Sequence, residues 1–392
     1  MRRHAVPLPS GRVARVYKSR RRSEALEPSQ PPVVPHRQHA SYPMPELEEF
    51  RDWANLPDLP LEEVLWGLVP CVRSVSAFAA TCRPWRRLLR ASAAGVVRPR
   101  VPPLILLLRP APRLTPFSPL VAPQPIPYRL AVPAEGSTLL SASRGHLALL
   151  RRNSLHLIDA LTGAERRAFQ LPSPHFPYHY AALSPTRLLL FHSKHAFFSL
   201  PFPGPDHHPH PEWTKHDLPR VASYVTTVLE FHGRILGLTD RAQMLEFLHL
   251  DGDQAAVHML PTAGLPPATT FDRSHLGPHL VAAGERLLLV LFMKLAPRVH
   301  RVAVHVLDSA RMTWEEVDDI GAYTVFVDCA GRSAVACVDV GCCGVEENRV
   351  YVLLPNCRTW KAVKPGRAAP LNQPMPHPPW PSAVSVYPPL FF

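Results

Sequence analysis

Seven cysteines in 392 residues (Cys71, Cys82, Cys329, Cys337, Cys342, Cys343 and Cys357) include no C-x-x-C pair. Their spacing suits neither a tetrahedral zinc site nor the disulfide framework of a small secreted module. They are expected to be reduced thiols in the core, with a vicinal disulfide or a metal at Cys342 and Cys343 as the lesser alternative. Long hydrophobic runs are missing too: the longest is "PPLILLLRP" around residues 102–110, well short of the ~20 residues a bilayer span needs. No secretory signal is legible, so a chain that stays inside the cell is expected, in the nucleus and/or cytoplasm. The 18 glycines do not cluster, and G-x-G-x-x-G, the P-loop and G-x-S-x-G are absent, which removes the phosphate cradle and the nucleophile elbow. Acidic residues are sparse. Adjacent pairs such as Glu315-Glu316, Asp318-Asp319 and Glu346-Glu347 fall in turns or at strand edges, and neighbours on a strand face opposite ways. No catalytic, cofactor or metal site follows, and a non-enzymatic chain without cofactor is expected.

Proline is abundant instead: 48 of 392 residues, about 12% against an ordinary ~5%, which implies short segments and many turns. Hydrophobic content of 46% with 19% charged residues describes a folded body. The net charge of +12 permits attraction to acidic partners without specifying one. Nucleic acid is disfavoured, because most aromatics lie inside apolar runs and are not interleaved with basic side chains. The one basic cluster, "RVYKSRRR" at 15–22, precedes the first acidic residue, Glu24; it reads as a solvated tail, with nuclear import or an organellar transit peptide as alternatives.

Four regions are expected. Residues 1–50 form a basic, proline-rich disordered tail. Residues 53–92 form a helical cassette, and residues 93–136 a proline-rich connector with possible closing strands. Residues 137–390 carry a loose repeat. A polar pair and an apolar run recur as "GHLALL" from Gly145, "TRLLLF" from Thr186, "GRILGL" from Gly233, "ERLLLVL" from Glu285 and "GRSAVACV" from Gly331. Second runs follow ("SLHLID", "HAFFSL", "QMLEFLHL", "RVAVHVLD", "NRVYVLL"), then a third, shorter strand, three of which open on Trp213, Trp314 or Trp360. Three strands at a period in the forties describe one blade of a propeller. Five units need an extra strand or blade from the ends, for which "ILLL" at 105, "YRLAVP" at 128 and "SAVSVYP" at 382 are candidates. Irregular β-sandwiches are the alternative. His207, His208 and His210, in "GPDHHPHPEW", read as a mobile loop before they read as a metal site.

Within the cassette, Leu61, Val64, Leu65 and Leu68 stand at i, i+3, i+4 and i+7, one stripe of an amphipathic helix. A second helix carries Val72, Val75, Phe78, Ala79 and Cys82 and must stop or bend before Pro84; a third presents Trp85, Leu88 and Leu89. About 40 residues without disulfide or metal are too few to enclose these side chains alone, so a partner surface is expected.

The pattern Leu56-Pro57, Leu61, Val64-Leu65, Leu68, Val75, Phe78, Cys82, Trp85 resembles the F-box. The remainder resembles plant F-box proteins whose C-terminal domain of unknown function is related to kelch-type propellers, and residues 314–355 are similar to that domain's closing segment. The resemblance implies an α+β multidomain protein, a helical F-box followed by a mainly-β kelch-like propeller. It also implies a substrate-receptor subunit of an SCF-type cullin-RING E3 ubiquitin ligase. The ten named residues would dock on a Skp-type adaptor, and through it on a cullin, while the propeller recruits a protein substrate. A non-catalytic propeller scaffold, organellar or nuclear and without ligase linkage, is the alternative.

Overall fold

Short apolar strands separated by tight turns can hide their faces only by stacking sheet on sheet, and here they do so around a ring. The structure, a computed structural model, describes residues 56–69, 71–92, 97–108, 112–115, 126–202, 212–250, 255–296, 299–354, 359–366, 371–372 and 383–387. The expectations for residues 1–50, for Cys357 and for His207, His208 and His210 lie outside them. All described residues belong to one unit, Asp52–Phe392.

Among the described residues three helices come first: α1 (Asp58–Leu68), α2 (Val72–Thr81) and α3 (Arg83–Ser92). Pro57 sits at the start of α1 and Asp58 in its first turn, where a carboxylate complements the helix dipole. Cys82 is extended, φ −156° and ψ 173°, and this break lets Pro84 enter the first turn of α3, where its missing N–H costs nothing. The predicted stop before Pro84 is therefore found, at Cys82.

Six sheets follow among the described residues. Blade 1 joins β1 (Leu104–Leu107), β2 (Arg113–Thr115) and β3 (Ile126–Pro127) to β25 (Ala383–Val386). Blade 2 is β4 (Ser137–Ser143), β5 (His146–Arg151), β6 (Ser154–Asp159) and β7 (Glu165–Gln170). Blade 3 is β8 (Tyr180–Leu183), β9 (Arg187–Phe191), β10 (Ala196–Pro201) and β11 (Thr214–Asp217). Blade 4 is β12 (Val225–Phe231), β13 (Arg234–Thr239), β14 (Met244–Leu248) and β15 (Ala256–Leu260). Blade 5 is β16 (His279–Ala283), β17 (Arg286–Ala296), β18 (Val299–Asp308) and β19 (Thr313–Val317), with β24 (Leu371–Asn372) added beside β18. Blade 6 is β20 (Thr324–Asp328), β21 (Ser333–Cys337), β22 (Arg349–Leu353) and β23 (Lys361–Val363).

An apolar cluster fills each junction. Leu106, Leu147 and Val384 lie between blades 1 and 2, Leu157 and Leu190 between 2 and 3, and Phe191 and Phe247 between 3 and 4. Leu238 and Trp314 lie between 4 and 5, and Val290, Val304 and Val350 between 5 and 6. The ring closes where Ile105 and Ala383 of blade 1 meet Leu353 of blade 6. This is a six-bladed propeller over about residues 100–390 behind a short helical region, and it overturns the β-sandwich alternative. Closure joins the two ends of the domain: Ile105 pairs with Ser385 and Leu106 with Val384, so two of the expected closing runs form one sheet. The third, "YRLAVP" at 128–133, forms no strand; the short β3, Ile126–Pro127, ends just before it.

Each unit expected to hold three strands holds four. In blades 2 to 5 an innermost strand (β4, β8, β12, β16) precedes the polar pair that marks the repeat. Blade 6 departs again, with order β21-β20-β22-β23 and β20 parallel to β22. The all-buried TVFVD strand takes the second position, and the small residues Ser333 and Ala334 are left to line the channel. Turns recur as well: Asp159 Oδ1 accepts from the Leu161 and Thr162 amides at 3.0 Å each, and Asp308 Oδ1 from Ala310 and Arg311 at 2.9 and 3.2 Å. Such Asx turns fix the hairpins by local chemistry.

Candidate functional site

Burial sorts the ten cassette residues into three groups. Leu61, Leu65, Val75 and Phe78 are buried and form the cassette's own core with Leu88 and Leu89. Leu56, Leu68 and Trp85 are half-buried against it; the Trp85 ring lies 4.7 Å from that of Phe78, and Cys82 is also half-buried. Pro57 and Val64 are exposed. The cassette does not enclose its core alone, as expected, but the surface that completes it belongs to the same chain: Val97 and Val101 of the following segment and Tyr387. Leu59, Val64 and Trp66 remain outside, at 75%, 44% and 44% exposure. Leu59 and Trp66 were not among the residues the F-box pattern marks. They stand seven apart on the helix face opposite Leu61 and Leu65, which a helical projection identifies. Trp66 also lies under the Arg100 guanidinium, 4.7 Å from the ring centroid.

The segment after α3 fixes the cassette to blade 6. The Val338 amide donates to the Pro99 carbonyl at 2.6 Å, Arg100 Nε meets Asp339 Oδ2 at 3.2 Å, and the Cys337 thiol donates to the Val101 carbonyl at 3.6 Å. Burial pushes the Cys337 thiol up to about 12, so it is an inert core sulfur. The described cysteines, including Cys342 and Cys343, are free thiols, and no group of potential metal ligands gathers among the described residues. The vicinal disulfide is therefore not formed.

Along the propeller axis runs a cavity of about 560 Å³, bounded by the inner strands and by Arg98, Arg144, His146, Glu230 and His232 at one mouth. Arg144 with Gly145, and His232 with Gly233, form two-residue turns with φ between 46° and 74°, the type I′ geometry that hairpins favour. At the other end lies a smaller cavity of about 160 Å³, walled by His179, Arg273, His275, His279 and Arg332. Arg332 lines both. It is half-buried, and desolvation lowers its pKa. Asp272 organises the wall loop: its Oδ1 accepts from the Ser274, His275 and Leu276 amides and its Oδ2 meets His300 Nε2 at 3.2 Å. Burial works against its ionisation, but these hydrogen bonds hold the carboxyl well below the usual range. None of these residues carried a motif in the sequence.

One buried constellation resembles catalytic machinery. Ser199 Oγ lies 2.7 Å from His216 Nε2. His216 Nδ1, however, accepts from the Ala255 amide at 3.1 Å, so the proton sits on Nε2 and the ring cannot take one from the serine. Arg187 Nη1 also donates to Ser199 Oγ at 3.0 Å, and Ser199 has no exposure. The trio ties β9, β10 and β11 together.

Residues 118–370 match the KIB1-4 beta-propeller family, about two thirds of the chain and nearly all of the ring. The chain belongs to the KIB1-4 beta-propeller family. The matched span lies wholly C-terminal to α3, so the family assignment concerns the propeller and not the helices. A KIB1-4 propeller of this form is suited to scaffolding protein interactions, with rim loops carried on a rigid ring. No curated protein sequence matches this one. Among solved structures, apo AztD from Citrobacter koseri is 12% identical with TM-score 0.32, over 52% of this chain and 51% of that one. BamB from Moraxella catarrhalis is 12% identical with TM-score 0.30, over 57% and 77%. The Cps50 (Swd1) β-propeller domain from Myceliophteria thermophila is 11% identical with TM-score 0.34, over 67% and 81%. This chain therefore spans about half the length of the Citrobacter protein, and likenesses this distant transfer no function.

Proposed function

We propose that this chain is the substrate-receptor subunit of an SCF-type cullin-RING E3 ubiquitin ligase, of the plant F-box kind. The F-box at residues 53–92 docks on a Skp-type adaptor, the propeller holds the target protein, and the subunit itself does no bond chemistry, working in the nucleus and/or cytoplasm. One observation carries the reading: the cassette closes its core on Leu61, Leu65, Val75 and Phe78 yet keeps Leu59, Val64 and Trp66 outward. Leu59 and Trp66, seven apart on one helix face, have the spacing helix-in-groove docking uses, with Val64 at the edge of the core stripe, and burying the surface each still exposes contributes about 1–2 kcal/mol. Co-purification with a Skp-type adaptor tests it. Leu59→Asp and Val64→Asp leave the core untouched and are expected to lose the adaptor while keeping the wild-type melting temperature; undiminished recovery with both variants sinks the docking claim.

A second reading has its own support. The family match begins at residue 118, beyond the helices, and suits a propeller scaffold, organellar or nuclear, to which the cassette is only an internal buttress. That reading expects no adaptor with the wild-type chain and entry into an organelle of a reporter fused to residues 1–50.

A further inference from the structure

Arg332 is a charge that its own fold answers only at a distance, through Asp240 and Tyr180. Among the described residues its guanidinium makes no hydrogen bond and no ion pair. The carboxylate it senses, Asp240, is not within ion-pair reach. It stands on the channel axis where the 560 Å³ and 160 Å³ cavities meet, held there by a left-handed backbone, φ 51°, between β20 and β21. The smaller cavity has Arg273, His179, His275 and His279 in its walls and no acidic side chain. A desolvated cation is strongly disfavoured unless paired, and a planar guanidinium in a cavity that holds a second arginine and no carboxylate matches an oxyanion in a two-point arrangement.

We propose that the 160 Å³ cavity is a binding site for a single small oxyanion, a phosphate group or a carboxylate, seated on Arg332 and flanked by Arg273. Drug-sized ligands occupy ~300–1,000 Å³, so this cavity takes a small anion or one group protruding from something larger. The Asp272 cap holds the Arg273–His279 wall rigid from behind, through its bonds to three successive amides. The site is independent of adaptor docking, since α1 to α3 contribute nothing to it.

Thermal unfolding of the full chain in sodium phosphate, sodium acetate and sodium chloride at matched ionic strength and pH 7 tests the site. Phosphate or acetate is expected to raise the melting temperature of the wild type saturably above chloride, and which of the two does so assigns the anion class. Arg332→Gln is expected to abolish that rise and, having removed an unpaired buried charge, to melt higher than wild type in chloride. Arg273→Ser, at a half-exposed position, is expected to shift the half-saturating concentration upward about tenfold, the equivalent of one charged hydrogen bond, and serves if Arg332→Gln does not fold. Equal rises in wild type and Arg332→Gln, no rise in the wild type, or an unchanged half-point in Arg273→Ser would each overturn the proposal.

Discussion

Arg144 of blade 2 and Glu230 of blade 4 meet at 3.4 Å across the wider mouth of the channel, although blade 3 lies between their sheets. Each stands in or beside a turn joining an innermost strand to the next, so rigid hairpins bring together two charges 86 residues apart. Both ends are partly solvated, 28% and 42% exposed, and solvent screening limits what the pair contributes to stability. A double-mutant cycle with Arg144→Gln and Glu230→Gln, read from urea unfolding, is expected to give a coupling of about 0.2–1 kcal/mol that fades at 1 M salt.

Ring closure rests on a crowded spot. Gly331, in the turn between β20 and β21, donates its amide to Asp328 Oδ1 at 3.0 Å and accepts at its carbonyl from the Ala142 amide at 3.2 Å. A Cβ there would stand 2.6 Å from Val384 Cγ2, 2.8 Å from Asp328 Oδ2 and 3.2 Å from Ala142 Cβ. Blades 1, 2 and 6 thus converge where only a hydrogen fits. Gly331→Ala is expected to destabilise by about 1–3 kcal/mol, as overpacking does. Gly341→Ala, with nothing within 4 Å, is the matched control and is expected to change stability by about 0.5 kcal/mol or less. Urea midpoints of the two variants decide.

The propeller was legible where a strand carries its own marker. A polar pair before an apolar run announced β5, β9, β13, β17 and β21, and four of the five preceding turns need left-handed backbone angles, at Arg144 and Gly145, His232 and Gly233, Gly284 and Arg332. The innermost strands were not: β8 and β16 are only four and five residues long, and all face a channel whose existence only the closed ring creates. The exchange of β20 and β21 was equally hidden, because it depends on which strand tolerates burial on both faces. Pairing of Ile105 with Ser385 joins residues 280 apart, and only closure sets that register. In the cassette, helical spacing identified Leu61 and Leu65 as core, but it could not separate them from Val64, which the packing of Val97, Val101 and Tyr387 leaves outside. Arg332 was one arginine in an ordinary turn until the fold put it on the axis.

The core prediction for the cassette contrasts two neighbouring residues. Leu65 is 3% exposed and Val64 44%, one position apart on α1. Leu65→Ala is expected to destabilise the folded chain by about 2–5 kcal/mol through lost burial and the cavity left behind, whereas Val64→Ala is expected to remain within about 0.5 kcal/mol. Hydrogen exchange of the α1 amides is the sharper readout: Leu65→Ala is expected to release them and Val64→Ala to leave them protected.

Histidine and aspartate oppose each other in the acid response of the channel. Burial, aided by the nearby Arg332 charge, holds His179 and His279 down at about 4, against about 6.5 in an unfolded chain. Between pH 6.5 and 4.5 the unfolded state therefore takes up protons that the folded state refuses, and each histidine withdraws on the order of 3 kcal/mol of stability as pH falls. Asp328 runs the other way. Burial raises it to about 6, although the Gly331, Ser385 and Ala330 amides partly stabilise its charge; the folded state thus holds a proton the unfolded state has lost, and stability grows by a similar amount over the same window. Two histidines against one aspartate leave a net loss toward pH 4.5, to which His146, His192, His216 and His305, all lowered chiefly by burial, add in the same direction. Urea unfolding at pH 6.5 and 4.5 is expected to show a smaller drop for His279→Gln than for wild type and a larger one for Asp328→Asn. If the drop is identical in all three, the buried channel groups do not govern the acid response.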